Sequence, residues 1–302
     1  MIKTKMIPTN EYYHRIIDAI DTSTREALYK DLFIAPWQQM MDMVGGMMST
    51  DYRDEFSGAR ALHWLLPDDL TTVPVSLERL EKSDAWNIAA DALAEASGRF
   101  EPVSEQIPMS DIEGWLILAD PATSDPIMRG YTGAIDFMQP RFVGQYDTPN
   151  DYNVSRLPGL VVHEMHHLIR GRLFPWDMVN TSVADYIIHE GLAEAFAASL
   201  FGDDCVAYFV TDISDDDLQT ARRIIGDGLT KTGFNVIRGY LFGDHWGGKF
   251  GIQSNLGMPA YGGYATGYRV VRAFMERTGA SIEDATFLPA QTIVGESGYF
   301  PN

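Results

Sequence analysis

Apolar positions recur at two different spacings along this chain, and the change of spacing divides it. From Asn10 to Met48 they return every three or four residues: Tyr12, Ile16, Ile17 and Ile20, then Leu28, Leu32 and Phe33, then Trp37, Met40, Met41 and Met43. That period predicts amphipathic helices. Ser23, with Glu26 three residues on, has the spacing of a capping box. Met40, Met41, Met43, Met47 and Met48 read as adaptable core packing rather than a cofactor box. Tyr52 to Pro74 is loop-like, broken at Pro67-Asp68-Asp69. Leu77 to Phe100 then regains a helical period through Leu77, Leu80, Trp86, Ile88, Ala89 and Leu93. From Glu113 the runs shorten. Gly114 to Ala119 suits a buried strand and is too short for a helix, Tyr131 to Phe137 predicts a second strand, and Pro140 to Asn153 is a connector. The expected division is a helical region over 1–105 and a second domain over 106–302, with one continuous domain as the alternative.

The stretch from Leu160 to Gly202 carries the chemistry. Leu160, Val161 and Val162 follow Pro158-Gly159 as an apolar helix start, with Asp151 or Ser155 as candidate caps. His163-Glu164-Met165-His166-His167 comes next, and Gly171 and Pro175 stop the helix. Residues four apart share a helix face about 6 Å apart, so His163 and His167 can aim both imidazoles at one cation. Glu164 beside them is placed to touch a water on that cation rather than the cation itself. A carboxylate from elsewhere would complete three protein ligands and leave the open position of a catalytic zinc site. A second helix, Ser182 to Leu200, is small and apolar throughout. It contains His189-Glu190-Gly191-Leu192-Ala193-Glu194. Two carboxylates one turn apart on so apolar a helix need a partner. The bland alternative makes the histidines satisfied core groups and Glu190 a solvated helix face. It leaves all four groups without a shared explanation.

HEMHH followed by HEGLAEAF resembles the gluzincin zinc metallopeptidases, and more closely the predicted zinc-dependent proteases of the YjaZ type, over about Gly130 to Gly279. The resemblance implies an α+β, mainly helical fold: a zincin-like metallopeptidase core, a small sheet next to the HExxH helix, and a helical N-terminal part. It implies one Zn2+ per chain held by His163, His167 and Glu190, with Glu164 as general base, acting on a peptide or protein substrate. Glu194 falls where many gluzincins have an aspartate that braces a ligand histidine; here the side chain is one methylene longer. In such enzymes the strand before the pentad helix pairs with an extended substrate. Gly130, Tyr131, Thr132, Gly133 and Ala134 are therefore candidates for strand addition, with an ordinary internal strand as the alternative.

Composition narrows the partners. With 45% hydrophobic residues the chain can bury a large core. Forty-two acidic against 23 basic residues give a net charge of −19, which argues against nucleic acid or an anionic membrane as a partner. Cys205 is the single cysteine, so no intrachain disulfide forms and nothing points to an oxidising compartment. No run approaches the length of a membrane span and the first residues lack an apolar leader segment, so a soluble, cytoplasmic protein is expected.

After Gly202, Asp215-Asp216-Asp217 reads as an acidic helix start. Residues 226 to 267 are rich in glycine and aromatics and fit no phosphate-binding pattern. They read as irregular loops with tight backbone approaches, the usual material of a substrate cleft. Gly263-Tyr264-Ala265-Thr266-Gly267-Tyr268 opens a last helix. Peptide hydrolysis builds negative charge on a carbonyl oxygen, and a donor opposite the metal stabilises it. Tyr264, Tyr268 and His245 are candidates, each also an ordinary packing residue. Arg170, two turns after His163 on the same face, could pair with Glu194 or a substrate carboxylate, or be a surface helix-end residue. Two rival functions remain open. One is a carboxylate-bridged di-metal bundle using Glu164-x-x-His167 with Glu11-Tyr12-Tyr13-His14. The other is a catalytically idle metallopeptidase fold serving as a binding or regulatory module.

Overall fold

The computed structural model describes residues 2–48, 54–72, 74–249, 251–252 and 255–301, with the side chains of 46–48, 71, 72 and 74 excepted. The chain is mainly helical with one small mixed sheet, an α+β protein. It divides into two compact units, one formed by 2–97 with 111–157, the other by 98–110 with 158–302. The boundary expected near residue 105 is therefore displaced. The strands around 111–146 belong with the N-terminal helices because β1 (Lys3–Met6), at the start of the chain, pairs in parallel with β2 (Asp111–Leu118).

In the first unit the sheet order is β1-β2-β4-β3, with β3 spanning Tyr131–Ile135 and β4 Arg141–Tyr146. β2 and β4 run parallel, and β3 is antiparallel to β4 at the edge. β2 lies between two parallel neighbours, which is why its run from Trp115 to Leu118 is continuously apolar and buried. Residues 140–153, expected as a connector, supply β4 and the short helix α7 below. Around the sheet lie α1 (Thr9–Ile17), α2 (Thr22–Tyr29), α3 (Gln38–Met48), α4 (Ser57–Ala61), α5 (Pro74–Lys82), α6 (Ala85–Arg99) and α7 (Asp151–Val154). The start of α2 is capped by Asp21, whose carboxylate accepts from the Thr24 amide at 2.8 Å, and not by Ser23. The single helix expected over 77–100 is two, interrupted at Asp84, which has φ +60°. The loop expected over 52–74 falls partly outside the described residues, and its described part contains α4. Met40 and Met41 are buried as expected while Met43 is exposed; Met47 and Met48 have side chains outside the described set. Trp37 packs edge-on against Trp64 and Trp115 at 5.7 and 5.8 Å, forming the centre of this core.

The second unit is built on α8 (Leu157–Leu173) and α9 (Val183–Phe201), with α10 (Tyr208–Thr211), α11 (Asp215–Gly228), α12 (Phe234–Phe242), α13 (Gly262–Thr278), α14 (Ile282–Thr286) and α15 (Ala290–Ser297). Helix α9 is apolar around its circumference and is accordingly enclosed, packing against α12, α13, α14 and α15. Its start is fixed by a capping box between Ser182 and Asp185. The glycines of 226–267 make the tight backbone approaches expected of them, but several do so between helices rather than in loops. They lie partly within helices, where they let backbones meet. A Cβ on Gly263 would press on the backbone of Tyr240 and Leu241 in α12. One on Gly267 would overlap the Ile187 carbonyl of α9, and one on Gly191 would overlap Gly267. Helices α9 and α13 thus cross backbone to backbone, one residue away from Glu190. Among the described residues no helix is long and apolar enough to cross a membrane.

Candidate metal centre

Helix α8 presents His163 and His167 on one face, and α9 brings Glu190 to them. One carboxylate oxygen, Glu190 Oε2, lies 3.1 Å from His167 Nε2 and 3.4 Å from His163 Nε2. The three candidate ligand atoms all lie within 4.8 Å of one another. Zinc bonds of roughly 2.0–2.2 Å in a tetrahedron put ligand atoms roughly 3.3–3.6 Å apart, so the donor set fits such an ion in chemistry and in its histidine-to-carboxylate spacings. The two imidazoles meet at 84° with centroids 4.4 Å apart, so their lone pairs converge rather than stack.

The carboxylates around the pair are all buried: Glu164, Glu190 and Glu194 are each 5% exposed. Burial disfavours a charged His163, yet Glu194, with Glu190 and Glu164 behind it, outweighs that and holds the imidazole well above its ordinary pKa. Burial likewise opposes ionisation of Glu190, and the charges of His167 and His163 overcome it and lower that carboxyl. At Glu164 burial wins, and the carboxyl titrates above its ordinary value despite the two histidines. Glu194 Oε1 stands 3.6 Å from His163 Nδ1, the ring nitrogen turned away from Glu190. The third histidine of the pentad faces elsewhere: His166 Nε2 lies 3.0 Å from Thr286 Oγ1.

The remaining candidates separate. Burial, followed by the negative charge of Glu190, pushes the Tyr264 phenol well above its ordinary pKa, so this ring shares the carboxylates' surroundings. The Tyr268 hydroxyl is committed elsewhere, donating to Asp203 Oδ1 at 2.8 Å and accepting from Arg272 at 2.8 Å. Burial and Asp203 push it up to about 12, and it is not brought to the histidines. His245 lies exposed on a one-turn segment, edge-on to Trp246 at 5.2 Å. Arg170 is neither a surface residue nor a partner of Glu194. It is buried, donates to the Thr286 carbonyl and lies over the Phe174 ring at 3.8 Å. Gly130 to Ala134 form the start of the edge strand β3. Asp136 donates to Arg141 and Asp147 to Gly130, so by alternation Tyr131, Gly133 and Ile135 turn their backbone groups away from β4. The di-metal rival fails on geometry. His14 bonds Glu81 at 2.7 Å, and neither it nor Glu11 belongs to a group of described residues that could hold a metal. Among the described residues the cluster of His163, His167 and Glu190 is the one group assembled to hold a metal.

Two residues that pattern alone did not single out belong to this site. Tyr186 stands one turn before Glu190 on α9, and burial and that carboxylate raise its phenol. The helical spacing was the available signal. His189 lies flat on His167, with centroids 4.2 Å apart and planes within 6°. No sequence signal predicts that stack.

Comparison with known proteins agrees with this geometry. Residues 85–295 match the family described as Predicted Zn-dependent protease (DUF2268). An uncharacterized Bacillus subtilis protein, YjfC, is 30% identical over 298 residues, 98% of each chain. The chain belongs to this family. A second uncharacterized B. subtilis protein, YjaZ, is 27% identical over 147 residues, 48% of this chain and 52% of its own length. None of the solved structures compared matches the chain significantly.

Proposed function

We propose that this member of the family is a zinc-dependent peptidase with a zincin-like core, in which His163, His167 and Glu190 hold one zinc ion. The observation that carries the reading is the convergence of two imidazole nitrogens from α8 on a single carboxylate oxygen from α9. Bound there, zinc supplies Lewis acidity, acidifying water and polarising a carbonyl. The chain's own groups supply the rest. Glu164 accepts the proton of the attacking water and delivers it to the leaving amine. Burial raises its affinity for the proton it takes up. Glu194 at His163 Nδ1 fixes the tautomer that leaves the Nε2 lone pair for the ion. Tyr264 stays protonated at neutral pH and serves as the hydrogen-bond donor to the developing oxyanion.

The outward backbone groups of β3 are those with which an extended peptide would pair. The lone Cys205 fits a reducing, cytoplasmic setting.

Glu164→Gln tests the mechanism. The variant should retain about one zinc per chain while turnover of a mixed peptide library falls by about 10²-fold or more. Undiminished turnover would end the role of Glu164, and a wild-type protein that binds no zinc would end the site. Zinc uptake without cleavage in the wild type would favour the idle binding module instead.

A further inference from the structure

An imidazole ligand can swing about its last torsion, which has broad wells, so it serves a metal well only when something outside the ion fixes its plane. The two histidines of this site differ in how that is done. His163 has a carboxylate at its far nitrogen, Glu194 Oε1 at 3.6 Å. His167 does not. Its Nδ1 is buried and has no hydrogen-bond partner among the described residues. Its ring instead lies face to face with His189, at 4.2 Å and 6°.

His189 is well placed to act as a wall. It precedes Glu190 on α9, so its backbone is as fixed as that of the carboxylate. Trp176 closes on it edge-on at 6.5 Å and is itself packed on Tyr186 at 4.7 Å. A ring parallel to His167 directs its own lone pairs alongside those of His167 rather than toward the point where His163 and His167 converge. That geometry makes His189 a support and not a fourth ligand.

We propose that His189 is the positioning residue for His167: the face of its ring, in place of a hydrogen bond, sets the plane in which His167 Nε2 is presented to the metal. The inference rests on the zinc reading above and adds to it a division of labour, with an acid holding one ligand and a stacked ring holding the other.

The test compares His189→Phe, which keeps a flat ring, with His189→Ala and His189→Leu, which do not. Zinc affinity is measured on the full chain by competition with a chromogenic chelator, alongside the visible spectrum of the cobalt-substituted protein. His189→Ala and His189→Leu should weaken zinc by about 10- to 100-fold and shift the cobalt bands, while His189→Phe should stay within about threefold of wild type. Thermal unfolding of the metal-free proteins identifies any variant that does not fold, and the leucine variant carries the comparison if the alanine variant is lost. Wild-type affinity in His189→Leu would overturn the proposal. So would a His189→Phe variant as weak as His189→Leu, because the ring face would then not be what matters. A wild-type chain without zinc affinity is a different outcome and sinks the metal reading itself.

Discussion

Adding one methyl group at the crossing of α9 and α13 should damage both stability and metal binding. In Gly191→Ala the new Cβ would overlap the Gly267 carbonyl and stand 2.8 Å from the Tyr268 amide nitrogen. Ordinary non-bonded contacts begin near about 3.5 Å, so at that one atom the helices must separate by roughly 0.7 Å, and by more at the carbonyl. The obstacle is backbone on both sides, with no flexible side chain to turn aside. Overpacking of this kind costs about 1–3 kcal/mol, which for a unit of this size lowers Tm by about 2–4 °C per kcal/mol. Glu190 is the neighbouring residue, so a shift near 1 Å carries its carboxylate with it, and displacements of that size cost about 10²-fold in activity. Gly171→Ala is the matched control: it is also a helical glycine, but its Cβ would meet nothing within 4 Å. It should leave the site intact and stabilise the protein by up to about 1 kcal/mol. Thermal unfolding and chelator competition on the three proteins decide the matter. If Gly191→Ala unfolds with wild-type Tm and binds zinc as tightly, the crossing does not set the position of Glu190.

Tyr264→Phe should keep its zinc and lose about 10²- to 10³-fold in kcat. Tyr268→Phe should keep kcat and lose about 1 kcal/mol of stability with the Asp203 and Arg272 contacts; steady-state rates with the opposite ranking would reverse the assignment. Metal uptake should release protons, because His163 is held charged above its ordinary pKa of 6.5 in the metal-free site. The stabilising His163 charge is fully present below 6.5 and is lost as pH rises through the elevated value, so metal-free Tm should fall on the alkaline side while zinc affinity rises there. Titration calorimetry in buffers of different ionisation enthalpy reads the proton count, and a count of zero would refute the protonated state.

What could be read from the sequence was what is local. His163 and His167 are four residues apart on one helix, so their common face follows from the helical period alone. The short apolar run in β2 is equally local. The partners of these elements are distant. β1 is four residues, Lys-Thr-Lys-Met, with polar side chains that suggest no strand, and it exists because β2 offers it an edge over a hundred residues away. β4 carries Arg141, Gly144 and Gln145 among its apolar positions, which hid its pattern. The seven-residue spacing suggests that Arg170 shares the face of His163, but in the fold it lies with His166, four residues before it, and both meet Thr286. What removes it from the site is α14, whose Thr286 carbonyl captures it. Tyr264 and Tyr268 are one helical turn apart and equivalent by any periodic rule. Only packing separates them, because one shares the surroundings of Glu190 while the other reaches Asp203.

The glycine-rich segment makes close backbone approaches, but several of them join helices rather than loops. Twelve glycines over 226–267 look like loop material, since glycine lowers helix propensity. Several instead mark where helices touch: Gly228 against Tyr240, Gly263 against Tyr240 and Leu241, and Gly267 against Ile187 and Gly191. Helix α13 is pressed on α12 through one glycine and on α9 through the next, four residues later, with Tyr264 one residue after the first. Glu190-Gly191 on α9 and Gly263-Tyr264 with Gly267 on α13 are therefore two halves of one device. The absent side chains let the backbones close, and that closure brings the half-buried Tyr264 phenol and the buried Glu190 carboxylate from separate helices within electrostatic reach of each other. A side chain at Gly191 or Gly267 would part the two helices and separate the carboxylate from the phenol at the same time, which is why the two motifs are best understood as a single mechanical unit.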